Sequence, residues 1–489
     1  MKINQTGVED MLENTWTKKV VAILAFILIP MTCLANDLRE EAIEKTDNLR
    51  PVIHEMARNL WEYSEIALRE TRSAEMLSNL LEKNGFQVER GVAGMPTAFV
   101  ATYGTGAPVI GILAEYDALP GVGNEAVPRK NPREDGVTSG QGCGHNLFGA
   151  ASVGAAVAVK RILEESGISG TVKLFGCPAE ETVVGKVYMA RDGVFDGLDA
   201  ALDWHPGDET KVKNQPGLAN NNFTVEFFGK TAHGAADPWN GRSSLDAVEL
   251  MNYGVNMLRE HVKPSARIHY VISHGGDAPN VVPDYAKVWY FVRDINRDRV
   301  DLLYKRVLKA AEGAALATET EYKVTLITGV HEYLINQPLQ EAFQRNLEMV
   351  GPVPYTEDDQ EFARLMQENL GIEKKGYKTA ILSLPDQLEP ASGGSTDVAE
   401  VSYLTPTAGF NVTTAAYDIP WHSWAATACH GTRGGRESAV TAAKVLAATA
   451  MDLFTDSDLV IRCREAFKAA TEGKEYVSPI PEGQAVILP

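Results

Sequence analysis

Three apolar runs in the first half of the chain end in residues that carry chemistry, and this pairing restricts the fold more than any other feature. Residues 109–114 run into Glu115-Tyr116-Asp117, residues 171–176 into Glu180-Glu181, and residues 200–204 into His205. Runs of this length without polar alternation belong to strands buried on both faces, as in a parallel sheet. The stretches between them have helical patterns, and 147–164 is rich in Ala and Gly, which permits close packing on a sheet. Strands that alternate with helices run parallel, and their C-terminal ends fall at one edge, where such sheets bind ligands. The fold class expected is therefore α/β, a doubly wound and mostly parallel sheet. Residues 98–103 read as a further buried strand, a strand begins at 88–91, and 37–83 carries an amphipathic helical pattern through Leu60, Ile66, Leu68, Met76, Leu80 and Leu81.

The pattern changes near Pro216. Residues 223–228 alternate as a half-exposed strand should, followed by a helix over 244–261, strands over 268–272 and 286–292, a helix over 299–316 and a strand over 322–327. That order describes a small α+β, ferredoxin-like unit inserted into the larger domain. After about residue 331 helices return over 337–349, 361–370 and 436–454, with a Gly/Ser-rich loop at 392–397. The expected domains are 36–218 and 332–489 for the larger unit and 219–331 for the insert, whose two crossings make a hinge candidate. Before them, Lys18-Lys19, an apolar run over 20–29 and small residues up to Ala35 describe a secretory signal peptide over 1–35. It is too short for a comfortable membrane span, and no other stretch reads as long and apolar enough for one. Export to the periplasm or medium is expected, with a cytoplasmic protein as the alternative.

The formal net charge of −19 excludes nucleic acid as a partner, since phosphate binding needs a basic surface. Of the five cysteines, Cys33 falls in the leader, and Cys143, Cys177, Cys429 and Cys463 remain. A thiolate used as a metal ligand cannot also be bridged, so no disulfide is expected at Cys143, and the other three read as small buried hydrophobes.

Gly142-Cys143-Gly144-His145-Asn146 places a thiol and an imidazole two residues apart in a loop free of helical constraint. Alone the pair fits a buried cysteine beside a hydrogen-bonded histidine better than a metal site. With Glu181, with His205 in Trp204-His205-Pro206, and with His422 in Trp421-His422-Ser423-Trp424, it becomes the donor set of a two-metal hydrolytic site. Thiolate suits zinc, whereas imidazole and carboxylate suit zinc, manganese or cobalt. Glu180 and Glu181 are adjacent at a strand end and point apart, so Glu181 is read as a ligand and Glu180 as the general base. Asp117 is read as orienting a ligand ring, and Glu115 stands at the same strand end with a less definite role. His430 is a rival to His422 for the distal position.

These motifs resemble the metallopeptidase family of aminoacylases, succinyl-diaminopimelate desuccinylase and glutamate carboxypeptidase, in its amidohydrolase branch. Cys143-Gly144-His145 looks like that branch's metal motif, and Pro178-Ala179-Glu180-Glu181 and His205 match the motifs that follow. Gly394-Ser395-Thr396-Asp397-Val398 and His422-Ser423-Trp424 look most like the B-type aminobenzoyl-glutamate hydrolase group. The resemblance implies two divalent metal ions, zinc or manganese, held by Cys143, His145, Glu181, His205 and His422, with Glu180 as base. It implies that the insert is a lid and dimerisation domain. Gly229-Lys230-Thr231-Ala232-His233 matches the lid motif whose histidine steadies the oxyanion from the partner subunit, and Asn280 is similarly placed to touch substrate. The implied substrate is an N-acyl or N-aroyl amino acid, the implied assembly a homodimer. A dipeptidase or carboxypeptidase and a non-catalytic metal-dependent binding protein are the alternatives. Two departures stand out: Glu115 occupies the place of the wider family's first-motif histidine, and an export leader is unusual in the aminobenzoyl-glutamate group.

Overall fold

The computed structural model describes residues 38–487; the leader expected over 1–35 lies outside the described residues. The larger unit is built on a seven-stranded sheet of order β1-β2-β4-β3-β5-β11-β6. Its strands are β1 (Gln87–Arg90), β2 (Phe99–Thr105), β3 (Val109–Glu115), β4 (Gly170–Cys177), β5 (Ala200–Gly207), β6 (Lys211–Val212) and β11 (Thr407–Thr413). β4, β3, β5 and β11 are mutually parallel and form the centre. β1, β2 and β6 run against their neighbours. β2 has to do so, because the few residues between it and β3 are too short for a crossover and can only reverse the chain.

The helices Arg50–Tyr63, His145–Ser166 and Arg433–Thr455 pack together against this sheet and share one apolar core with it. His145–Ser166 is, by length and composition, apolar enough to cross a membrane, contrary to the expectation that no segment after the leader would be. Its window is 89% buried inside the fold, which makes it a core helix. The amphipathic pattern over 37–83 does not form one helix. It breaks after Leu49, where Pro51 opens the next helix, and again at 64–70, where Ser64 and Leu68 take left-handed φ values of 42° and 57°. The helix expected from 361 starts at Glu357, because Thr356 and Asp359 form a reciprocal capping box there.

The insert begins with β7 (Ala219–Phe228) and continues through β8 (Arg267–His274), β9 (Tyr285–Asp294) and β10 (Glu321–Val330). Its antiparallel order β10-β7-β9-β8, with helices Ser244–Leu258 and Arg297–Thr318 between strands, is the ferredoxin-like arrangement. Both helices cover one face of the sheet, over Phe223, Val225, Phe227, Val288, Tyr290 and Val292. Strand alternation then puts Asn222, Thr224, Trp289, Phe291, Arg293, Arg267 and His269 on the opposite face.

Gly176 lies opposite Phe99 in the β2–β4 ladder, and a Cβ there would meet the Phe99 ring at 2.2 Å. A buried ring between two strands cannot retreat that far without moving the backbone. Gly176→Ala is therefore expected to destabilise the fold by about 1–3 kcal/mol, read as a lower urea midpoint; an unchanged midpoint would contradict the packing described.

Candidate metal centre

The site forms where β3, β4 and β5 end and the helix His145–Ser166 begins. Gly144 caps that helix with a φ of 80°, and a Cβ on it would lie 2.8 Å from Pro206 and 3.0 Å from His430. Only glycine allows the turn and the close approach together. The turn presents Cys143 and His145 from the same edge as the strand-end residues. The donor atoms of Cys143, His145 and His205 lie within 4.8 Å of one another, and so do those of Cys143, Glu181 and His422. Two sets of three donors thus meet at one sulfur, with Cys143 Sγ 3.5 Å from His205 Nε2.

Hydrogen bonds behind the donors fix which atoms face inward. Asp117 Oδ1 accepts from His145 Nδ1 at 2.9 Å, and its Oδ2 accepts from the Glu181 backbone N–H at 3.0 Å. One carboxylate therefore orients a ligand from each set, as second partners of metal-binding histidines do. His205 Nδ1 donates to the Pro206 carbonyl at 2.7 Å, which leaves the Nε2 lone pair free. His145 Nε2 and Glu181 Oε1 are buried without a hydrogen-bond partner, 3.9 Å apart, and Glu181 Oε2 is 3.5 Å from His422 Nε2. Buried polar atoms are rarely left unpaired. An orphan nitrogen and an orphan oxygen converging beside a cysteine sulfur fit divalent cations.

Burial pushes the Glu181 carboxyl up to about 7, an effect opposed by His145 and reinforced by Asp117. Burial, then the Glu181 charge, likewise raises the Cys143 thiol well above its ordinary value. Burial, Lys213 and His145 hold His205 neutral, the form that ligates. Burial opposes charging of His145, but the charges of Cys143, Glu115 and Asp117 outweigh it and raise its pKa. A cation inverts this balance by holding the ligands deprotonated. Ala179 and His422 take left-handed φ values of 60° and 54°, strain of the kind concentrated at functional sites.

Glu180 and Glu181 lie in the turn after β4 rather than at the strand end expected for them, and the Glu180 carboxylate gathers with Glu115 and His145. Burial, then Glu115 and Glu181, hold its carboxyl well above the ordinary carboxylate range. His430 is not a rival ligand. It is fully buried, with Nδ1 donating to Gln141 O at 2.7 Å and Nε2 paired with Thr414 Oγ1 at 3.1 Å, so both ring nitrogens are committed. It ends the helix Trp424–His430, beside the Trp421 ring. His233 and Asn280 lie together on the insert, where Gly234 N–H donates to Asn280 O at 2.8 Å and His233 pairs with Val281. His233 is exposed, and among the described residues no hydrogen bond or ion pair joins either of them to the metal donors within the chain.

Three buried or partly buried charges escaped the sequence reading. Lys186 joins Glu115 and Asp397, Lys213 pairs with Asp203, and Arg293 lies in the groove beneath the insert. The available signal for Lys186 was a single charge inside the otherwise apolar stretch 183–190.

Because Glu181 must lose a proton to ligate, divalent-cation affinity of the metal-free protein is expected to weaken as pH falls through about 7. The loss is about tenfold per pH unit below that value for this one proton. Titration calorimetry at pH 6 and pH 8 measures it, and equal affinities would remove Glu181 from the donor set.

Comparison with known proteins agrees with this arrangement. Residues 111–484 match the model of Peptidase family M20/M25/M40. The B-type subunit of p-aminobenzoyl-glutamate hydrolase from Escherichia coli (strain K12) is 37% identical over 453 residues, spanning 88% of this chain and 94% of that protein. The Xaa-Arg dipeptidase of Mus musculus is 28% identical over 458 residues, 90% of this chain and 94% of its own. Among solved structures, an aminobenzoyl-glutamate utilization protein from Klebsiella pneumoniae aligns with a TM-score of 0.59 at 17% identity, over 84% of this chain and 97% of that one. A dinuclear metal-binding peptidase of family M20 from Bacillus subtilis aligns with a TM-score of 0.55 at 19% identity, over 83% and 98%. With a family match across most of its length and its metal donors gathered at the sheet edge, the chain belongs to peptidase family M20/M25/M40 and is a hydrolase of amide bonds.

Proposed function

We propose that the protein hydrolyses the amide bond of N-acyl or N-aroyl amino acids, with aminobenzoyl-glutamate as the type of substrate. The observation that carries this reading is the pair of donor sets sharing Cys143, with the carboxylate of Glu180 left outside both. Two divalent cations in those sets, zinc or manganese by donor type, would supply an acidified water and polarise the scissile carbonyl. Glu180 takes the proton of the attacking water and returns it to the leaving amine. Its raised pKa in the metal-free site suits a group that must hold a proton between the two steps.

The acyl-amino-acid assignment rests on the groove between the insert and the Gly/Ser loop. Leu218, Arg267, His269, Arg293, Ser392 and Gly393 line a space of about 450 Å³. Arg293 donates from Nη1 to Ser395 Oγ at 3.2 Å, while its Nε is buried without a partner. A guanidinium with spare donors beside a second arginine suits a carboxylate. The 37% identical relative carries the name of a hydrolase for such a substrate, which supports the same choice.

The metal-replete Glu180→Gln variant is expected to keep its metal and lose at least about 100-fold in kcat. Wild-type protein is expected to cleave N-aroyl glutamates and N-acyl amino acids faster than their carboxyl esters or dipeptides. Retained turnover by the variant would exclude Glu180 as base, and faster dipeptide cleavage would make the protein a dipeptidase.

We also infer a homodimer through the insert. β8 is an edge strand, and Tyr270, Val271 and Ile272 on it are 36–54% exposed next to Tyr253 and Met257 of the adjoining helix, 63% and 55% exposed. An uncovered apolar edge of this kind invites pairing with a second copy. The exposed His233 would then be free to serve the partner's site as an oxyanion donor, with Asn280 beside it touching substrate. Val271→Lys is expected to give monomers in sedimentation velocity and a fall in kcat; a dimer unaffected by it would place the interface elsewhere. The leader over 1–35 supports export as the location.

A further inference from the structure

Behind the two donor sets that share Cys143 lies a second buried cluster, centred on Lys186. Lys186 is fully buried at the start of the helix Gly185–Arg191, and its Nζ is 2.5 Å from Glu115 Oε1 and 2.6 Å from Asp397 Oδ1. The Lys186 backbone N–H donates to the other Asp397 oxygen at 2.9 Å. Neither carboxylate is more than 1% exposed. A lysine is almost never buried so completely unless paired, and here one ammonium serves two acids from distant parts of the chain.

The two acids lead in different directions. Glu115 Oε2 lies 3.1 Å from His145 Nε2, the one ring nitrogen that Asp117 leaves uncommitted, and has no hydrogen-bond partner. The bond from Lys186 to Oε1 stops the carboxylate turning, so Oε2 keeps its negative charge beside the position a cation on His145 would take. Asp397 follows the Gly/Ser loop, in which Gly394 O accepts from Leu218 N–H at 3.0 Å and Ser395 Oγ accepts from Arg293. The same ammonium therefore fastens the metal centre and the floor of the groove read above as the carboxylate site.

We propose that Lys186 is a positioning residue that holds Glu115 against the metal-binding face of His145 and, through Asp397, sets the distance from the metals to the substrate-carboxylate groove. It touches neither metal nor substrate. The metal half of this assignment stands on the donor geometry alone, while the groove half rests on the function proposed above.

The experiment uses full-length protein stripped of metal and titrated with manganese by calorimetry, together with KM on the best N-acyl amino acid. Glu115→Gln preserves shape and the bond to Lys186 but removes the charge near His145. It is expected to weaken manganese binding by about 10–100-fold, as loss of outer partners of metal ligands does, with KM unchanged at saturating metal. Asp397→Asn is expected to raise KM by about tenfold, one pKa-unit equivalent of interaction, with manganese affinity within twofold of wild type. Lys186→Met should show both effects, and Lys186→Arg should restore part of the metal affinity. Should Lys186→Met fail to melt cooperatively, the two isosteric amide variants decide the matter. Wild-type manganese affinity in a cooperatively melting Glu115→Gln protein would overturn the proposal, as would an Asp397→Asn protein with unchanged KM. The titration needs no substrate, so a wild-type protein that binds manganese but cleaves no amide would overturn the function and leave the metal half standing.

Discussion

Too much negative charge in too small a buried space is the constraint on which the rest of this structure depends. Glu115, Asp117, Glu180, Glu181 and the Cys143 thiol converge at the ends of three strands, with His145 and Lys186 as their buried cationic partners. Several ionised acids cannot coexist at such range in a low-dielectric pocket without raised pKa values or a counter-charge. Burial and the neighbouring carboxylates accordingly raise the Glu180, Glu181 and Cys143 groups. Divalent cations offer the other answer, and the orphaned donor atoms are already aimed for it. The scaffold exists to hold this arrangement still. Parallel strands fix the spacing of the carboxylates, Gly144 turns the Cys-Gly-His loop back toward them, and His430 spends both its nitrogens bracing that turn.

The insert is tied to the larger unit by more than its two chain crossings. The Tyr188 hydroxyl donates to Ile327 O at 2.9 Å, and Arg293 Nη1 donates to Ser395 Oγ at 3.2 Å. His331 and Tyr476 meet on Glu400, at 2.9 and 2.7 Å. The last described residues also join the two units: the Gln484 amide donates to Leu326 O and Ile327 O at 3.0 and 3.2 Å, while Arg191 holds Gln484 O at 2.6 Å.

Much of the fold was legible because periodicity reports burial directly. The central strands announced themselves as unbroken apolar runs, and the insert as alternation followed by 3.6-residue periodicity. β11 did not, although it is an internal strand, paired on both sides by β5 and β6. Its sequence, Thr407-Ala408-Gly409-Phe410-Asn411-Val412-Thr413, is weakly apolar because Gly409 must clear the buried Asp203 carboxylate, 2.6 Å from where a Cβ would stand. A strand shaped by a neighbouring charge loses the pattern by which strands are recognised. The interruption at 64–70 was hidden for a related reason, since its apolar residues Ile66 and Leu68 continue the helical rhythm while the backbone has already turned.

The sequence by itself determined the donor types and the order in which strands deliver them, because ligand chemistry resides in side chains and strand polarity in the alternation of elements. It did not determine how Glu180 and Glu181 face, because both lie in the turn after β4, which ends at Cys177, and strand alternation does not reach them. Only the tertiary structure decided between His422 and His430, two imidazoles eight positions apart. The choice turned on which ring had its nitrogens already bonded, a property of partners at Gln141 and Thr414. It alone revealed that Lys186 stands between Glu115 and Asp397, separated from them by 71 and 211 positions. Electrostatic balance is settled between groups that meet through folding, and no local pattern along the chain encodes that meeting.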